Sequence, residues 1–191
     1  MKKVLLVGIL VTMTVFCFAG AMQLGVGTEF GGNHTADVTW GDFTGSDTNS
    51  MSSGISVYGE YMHQHESLLY GLGVEFQRLR DVEFAAGNGK VAFVPIYFTG
   101  RFQPEIDLPF YTELIGNAGY NFFRADEDYK GDADISGGLY WGAGVGIVYT
   151  AVVFQLMYKE NRAKLKQQVS GAQFKADIVV NQVYLSAGIR Y

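Results

Sequence analysis

Gln182-Val183-Tyr184-Leu185-Ser186-Ala187-Gly188-Ile189-Arg190-Tyr191 is the stretch whose alternation decides the fold. Val183, Leu185, Ala187, Ile189 and Tyr191 share one face of an extended segment, and Gln182, Tyr184, Ser186, Gly188 and Arg190 share the other. A period of two marks a β-strand with one apolar and one polar side. In water the apolar side packs on a core; in a membrane it turns to lipid.

The same alternation recurs upstream. Segment 22–31 sets Leu24, Val26, Thr28 and Phe30 against Gln23, Gly25, Gly27 and Glu29, and segments 53–63, 67–80, 90–102, 109–122, 138–149 and 152–161 follow before 178–191 closes the series. Eight segments of about 9–11 residues or more are long enough to be tilted membrane-spanning strands, and an even number lets an antiparallel sheet close with both ends on one side. The connections at 32–52, 64–66, 81–89, 103–108, 123–137, 150–151 and 162–177 alternate long and short. A transmembrane barrel sorts its loops in this way, with tight turns at one end and long loops at the other; a soluble sandwich has no reason to. The sequence therefore predicts an all-β chain, an eight-stranded antiparallel up-and-down transmembrane β-barrel.

Composition agrees. The chain has 25 Gly, 15% aromatic residues and only three Pro in 191 residues. After residue 21 no apolar run approaches the roughly 18 residues of a transmembrane helix. Two stretches resist the pattern. Pro95 removes a ladder donor inside segment 90–102. Residues 151–168 contain good helix formers, among them Lys164, Leu165, Lys166 and Gln167, although Val152-Val153-Phe154 favours a strand.

The N-terminal residues read as an export signal. Lys2 and Lys3 precede the apolar stretch from Val4 to Phe18, and Ala19-Gly20-Ala21 fits a small-x-small cleavage site. This predicts a signal peptide at 1–21 and a barrel domain at 22–191. The single cysteine, Cys17, falls within the signal and follows bulky Phe16, so neither a disulfide nor a lipid anchor is expected. The 14 Lys and Arg less those two leave 12 against 19 Asp and Glu, a net charge of −7. That balance excludes a nucleic-acid partner, which needs clustered positive charge.

Three stretches carry a family resemblance: the terminal Val183 to Tyr191, Val94-Pro95-Ile96-Tyr97-Phe98, and Gly142-Ala143-Gly144-Val145-Gly146. On them the chain resembles the small outer-membrane barrels of the OmpA/OmpX type, within the outer-membrane β-barrel domain family. The resemblance implies residence in the bacterial outer membrane. It also implies that the terminal aromatic, Tyr191, is the assembly signal read by the barrel-assembly machinery during biogenesis. The family usually ends in Phe, from which Tyr191 departs.

Projected inward, the alternation collects Glu29, Glu60, Glu75 and Glu113 with Arg101, Lys159 and Arg190. Charges in a narrow barrel must be paired or wet, so these seven are expected to form an interior polar network. A conducting pore is the sharper alternative, although eight strands leave little room beyond their side chains. His34, His63 and His65 come with no nucleophile motif, and His63-Gln64-His65 is a weak metal signal. No catalytic residue, metal ligand or cofactor site is assigned. Loop 123–137 is acidic, with Asp126, Glu127, Asp128, Asp132 and Asp134, and its likeness to a calcium loop fails at Lys130 and Gly137. Loop 162–177 is basic, with Arg162, Lys164, Lys166 and Lys175. The two loops would pair, contact lipid headgroups or simply be solvated. The expected function is a non-enzymatic barrel with an envelope-structural or surface-interaction role, partnered by outer-membrane lipids. The alternatives are a small pore, a lipid-modifying enzyme and, with apolar faces turned inward, a soluble lipocalin-like barrel.

Overall fold

Each alternating segment is a strand, and most run well past their apolar stretch. The computed structural model describes residues 20–41, 43–84, 87–126, 134–169 and 172–191. In it, β1 (Ala21–Trp40), β2 (Phe43–Met51), β3 (Gly54–His65), β4 (Leu68–Gln77), β5 (Arg80–Phe84), β6 (Gly87–Phe102), β7 (Tyr111–Ala125), β8 (Asp134–Tyr149), β9 (Val152–Val169) and β10 (Ala172–Arg190) follow in order. The signal expected at 1–21 lies almost wholly outside the described residues. β1 begins at Ala21, one residue before the predicted mature start.

All pairings are antiparallel. The order β10-β9-β8-β7-β6-β4-β3-β1, closed by β10 on β1, makes a ring of eight. The ring is sealed at its lower end, where Met22 N donates to Tyr191 O at 2.8 Å and Tyr191 N donates to Met22 O at 2.9 Å. β2 and β5 are not extra staves. β2 leads into β3 across Ser52 and Ser53, β4 leads into β5 across Arg78 and Leu79, and the Met51↔Val82 pair keeps the register of β3 on β4.

The polarity of the wall explains where each part sits. In the lower part Leu24, Val57, Leu72, Phe98, Leu114, Phe154 and Leu185 face outward, each more than 40% exposed. An apolar surface of that extent around a whole barrel is stable only against lipid. Further up, the pattern inverts. On β9 the outward residues pass from Leu156 and Tyr158 to Arg162, Lys164 and Lys166, while the inward ones pass from Lys159 to Ala163 and Leu165. On β1 the outward side passes from Val26 and Phe30 to Thr35 and Thr39. The lower barrel is thus built for lipid outside, and the upper barrel for water outside with a dry core. The soluble lipocalin-like alternative needs apolar residues inside throughout, and the spanning part shows the reverse.

Three side-by-side irregularities lie near this change. A bulge separates Phe30 from Gly32, with Gly31 at a φ of 48° that suits glycine. Next to it, Ser52 and Ser53 are consecutive exposed residues, and so are Arg78 and Leu79. Each break slips the alternation by one residue and re-aims the strand above it.

Of the stretches expected from sequence to be long loops, 32–52, 81–89, 123–137 and 162–177, the described residues are therefore largely strand. Helix formers at Lys164 to Gln167 also lie in strand, because alternating Lys and Leu satisfies both sides of the wall there. Pro95 sits in β6 where the ladder to β4 lapses, between the pairs Val74↔Ile96 and Arg80↔Val91, a place that tolerates a residue without an N–H. Tight turns join β3 to β4 at Glu66 and Ser67, and β8 to β9 at Thr150 and Ala151, while 103–110 connects β6 to β7.

Candidate functional site: the barrel lumen

Alternation sends every second side chain of each strand into the lumen, and the lumen is filled in three layers. The lowest is charged. Arg101 on β6 is fully buried and lies between two carboxylates, paired with Glu60 of β3 and donating to Glu113 Oε2 of β7 at 2.9 Å. Arg190 of β10 reaches the same Glu113 at 2.6 Å and also donates to Gln23 Oε1 at 2.7 Å. Tyr97 donates its hydroxyl to Glu60 Oε1 at 3.0 Å, and Gln103 donates to Glu113 Oε1 at 2.8 Å. With its amide oxygen turned inward, Gln155 accepts from Arg101 at 2.8 and 2.9 Å.

A second charged layer lies above. Lys159 Nζ donates to Glu75 Oε2 at 2.6 Å and stands 3.0 Å over the ring of Tyr184. Arg80 lies 3.3 Å from Glu29, and donates to Gln182 Oε1 at 2.8 Å and Gln77 Oε1 at 3.1 Å. Between the layers, Tyr58 and Tyr184 meet edge to face with centroids 6.4 Å apart. Glycines make room for these rings: a Cβ on Gly27 would fall 2.2 Å from Tyr184, and one on Gly73 2.5 Å from Tyr97. This is why the inner face is rich in both Gly and Tyr.

The third layer is apolar and belongs to the upper barrel. Met51, Val82, Val91, Phe93, Leu165, Ile178 and Val180 are buried together, and Phe123 and Phe174 pack against them. His34 sits on β1 just above the bulge, fully buried; burial holds its imidazole below the ordinary value of 6.5, against the opposing pull of Asp47.

The seven residues projected inward from the sequence all line this lumen, six of them buried and Arg190 half-buried. The structure adds Arg80, so that four acids face four bases among the described residues. The sequence does not mark Arg80 as inward, because strict alternation through Gln77 turns it outward, and the two exposed residues at Arg78 and Leu79 shift the phase. Gln23, Gln182 and the tyrosines stand on the polar face in the sequence too, but having no charge they are not among the seven. Tyr191 lies at the lower rim, 68% exposed. His63 stacks edge to face on Tyr70 at 5.7 Å, at the opposite end of the barrel from His34. Of the acidic loop, Glu127, Asp128, Lys130 and Asp132 lie outside the described residues. Asp126 Oδ1 accepts from Lys90 N at 3.0 Å, and Asp134 stands opposite Lys166 on β9. Gly137 lies in β8 rather than in a loop, and no group of three potential metal ligands occurs among the described residues.

No protein-family model matches the chain, and no curated protein sequence does. Solved structures do. The outer membrane protein OprG from Pseudomonas aeruginosa aligns over 91% of this chain and 96% of its own, at 12% identity and a TM-score of 0.60. The outer membrane protein AlkL, solved in lipid bilayers, aligns over 91% and 90% at 11% identity with the same TM-score. At such identities the likeness is one of fold. With the closed ring of eight and the lipid-facing belt, it shows that the chain has the fold of the small eight-stranded barrels of the bacterial outer membrane.

Proposed function

We propose that this chain is a closed, non-enzymatic outer-membrane barrel whose work is done at its outer surface. The observation that carries this reading is the filled lumen. Two layers of paired charges and an apolar layer stand in series along the axis, and an ion crossing it would have to break several buried ion pairs and then enter a dry apolar zone. The upper barrel, polar outside, carries the strands past the lipid-facing belt as a paired platform. Tyr191 is proposed to serve assembly, and the charged network to hold the barrel shut. Purified protein in planar bilayers should give no steady conductance steps; reproducible ohmic channels at neutral pH would overturn the reading.

One feature favours a second reading, passage or binding of an apolar solute. The interior above the charged layers is apolar, and the wall beside it lapses between Val74↔Ile96 and Arg80↔Val91. Conductance does not detect such a solute. Faster uptake of a fluorescent alkyl probe by vesicles carrying the protein than by empty ones would favour this second reading.

A further inference from the structure

We propose that the outer wall carries a seat for one phosphorylated lipid of the outer leaflet, its acyl chain on Gly59 and its phosphate at Arg78 and Lys90. Two surface depressions lie one above the other on the same strands. The lower, about 530 Å³, is lined by Leu24 and Val26 of β1, Val57 and Gly59 of β3, and Val74 and Phe76 of β4. It lies within the lipid-facing belt, and its hollow comes from Gly59: a Cβ there would meet only Leu24 Cδ2, at 3.2 Å. The upper, about 230 Å³, is lined by Ser52, Ser53, Ile55, Arg78 and Lys90 among others. Arg78 follows Phe76 by two residues on the outward side, about 7 Å further up, and its N–H donates to Ile55 O at 2.9 Å beside Val57. An apolar track thus ends in a polar pocket at the upper edge of the belt, where the outer leaflet has its headgroups.

The charge of the pocket selects the headgroup. Arg78 and Lys90 are exposed cations, and the only exposed carboxylate among the lining residues is Asp81, a loose 4.0 Å partner of Lys90. Arg80, the third cation, is buried and already held by Glu29, Gln77 and Gln182. Among the described residues, two exposed cations, Lys90 loosely paired and Arg78 not, against one lining carboxylate leave a net positive pocket in a chain that is acidic overall. Such a pocket fits an anionic phosphate and gives nothing extra to a zwitterionic head. The break in the wall at Ser52, Ser53, Arg78 and Leu79 creates this pocket, since two consecutive outward residues open a notch that regular pleating would fill.

The test uses the full barrel folded in phosphatidylcholine nanodiscs containing a minority of lipid A, extracted into mild detergent and weighed by native mass spectrometry. The wild type should retain one lipid A per barrel. Arg78→Gln with Lys90→Gln should reduce the retained fraction about tenfold. Gly59→Leu should reduce it too, by filling the groove without touching a charge. Lys164→Gln with Lys175→Gln, which removes two exposed cations elsewhere, should leave it unchanged. Each variant is first shown to be folded by its heat-dependent gel mobility. Equal retention by the wild type and the Arg78/Lys90 variant overturns the proposal, as does equal loss in the Lys164/Lys175 variant. Loss in the charge variant with none in Gly59→Leu overturns the acyl seat.

Discussion

Arg101 shows how the lumen is held at the scale of single residues. It is fully buried, and its guanidinium serves Glu60 and Glu113 together, while Arg190 supports Glu113 from the other side. Arg101→Ala leaves Glu60 without its cation and weakens the hold on Glu113; breaking a buried pair this way costs about 3–5 kcal/mol. The variant should convert to the unfolded gel form at a clearly lower temperature; an unchanged transition would show that the network contributes no stability. His34 makes a pH-dependent counterpart in the upper barrel. Its native value is lowered, so the unfolded chain binds the extra proton first as the pH falls below 6.5. Stability carried by neutral His34 is present above 6.5 and lost as the pH drops toward the depressed native value. The melting temperature should therefore fall more steeply between about pH 7 and pH 5 in the wild type than in His34→Gln; parallel profiles would remove His34 from the account. Residues were legible in the sequence wherever alternation held without interruption, as for Glu60, Glu75, Arg101 and Lys159. Arg80 was not legible, because a one-residue slip leaves no mark in composition.

At the scale of elements, turns and bulges set the register that alternation only suggests. The turns after β3 and β8 each place a non-glycine residue at positive φ, Glu66 and Thr150, both at 53°. For a β-branched residue that backbone is costly, of order 1–2 kcal/mol, only partly offset by the bond from Thr150 Oγ1 to Tyr149 O at 2.7 Å. Thr150→Gly should stabilise the barrel by about 1 kcal/mol in urea titration, and Ala151→Gly should not; a destabilised Thr150→Gly would mean the hydroxyl bond outweighs the strain. The strands themselves were readable, but their upper halves were not. Thr35, Thr44, Ser46 and Thr48 look like loop chemistry because strand residues facing water on a polar outer wall use the same alphabet as turns. Lys164 to Gln167 look helical because propensity ignores the partner strand, and β10 supplies one from Asp177 to Phe174.

The whole molecule is one wall with two solvents. Below the bulges it is apolar outside and charged inside; above them it is polar outside and apolar inside. Closure was visible in the sequence through the even count of segments and the alternation of connections. The inversion was not, since it requires knowing that the described residues of 32–51 and 162–177 belong to the wall. Nitroxide accessibility along the outward side of β9 tests this inversion. Labels at Phe154, Leu156 and Tyr158, placed one at a time in protein folded into bilayers, should collide with dissolved oxygen and be shielded from a water-soluble nickel chelate. Labels at Arg162, Lys164 and Lys166 should show the opposite preference. Continuous lipid-like accessibility through Lys166, or water-like accessibility at Leu156, would show that the wall does not invert.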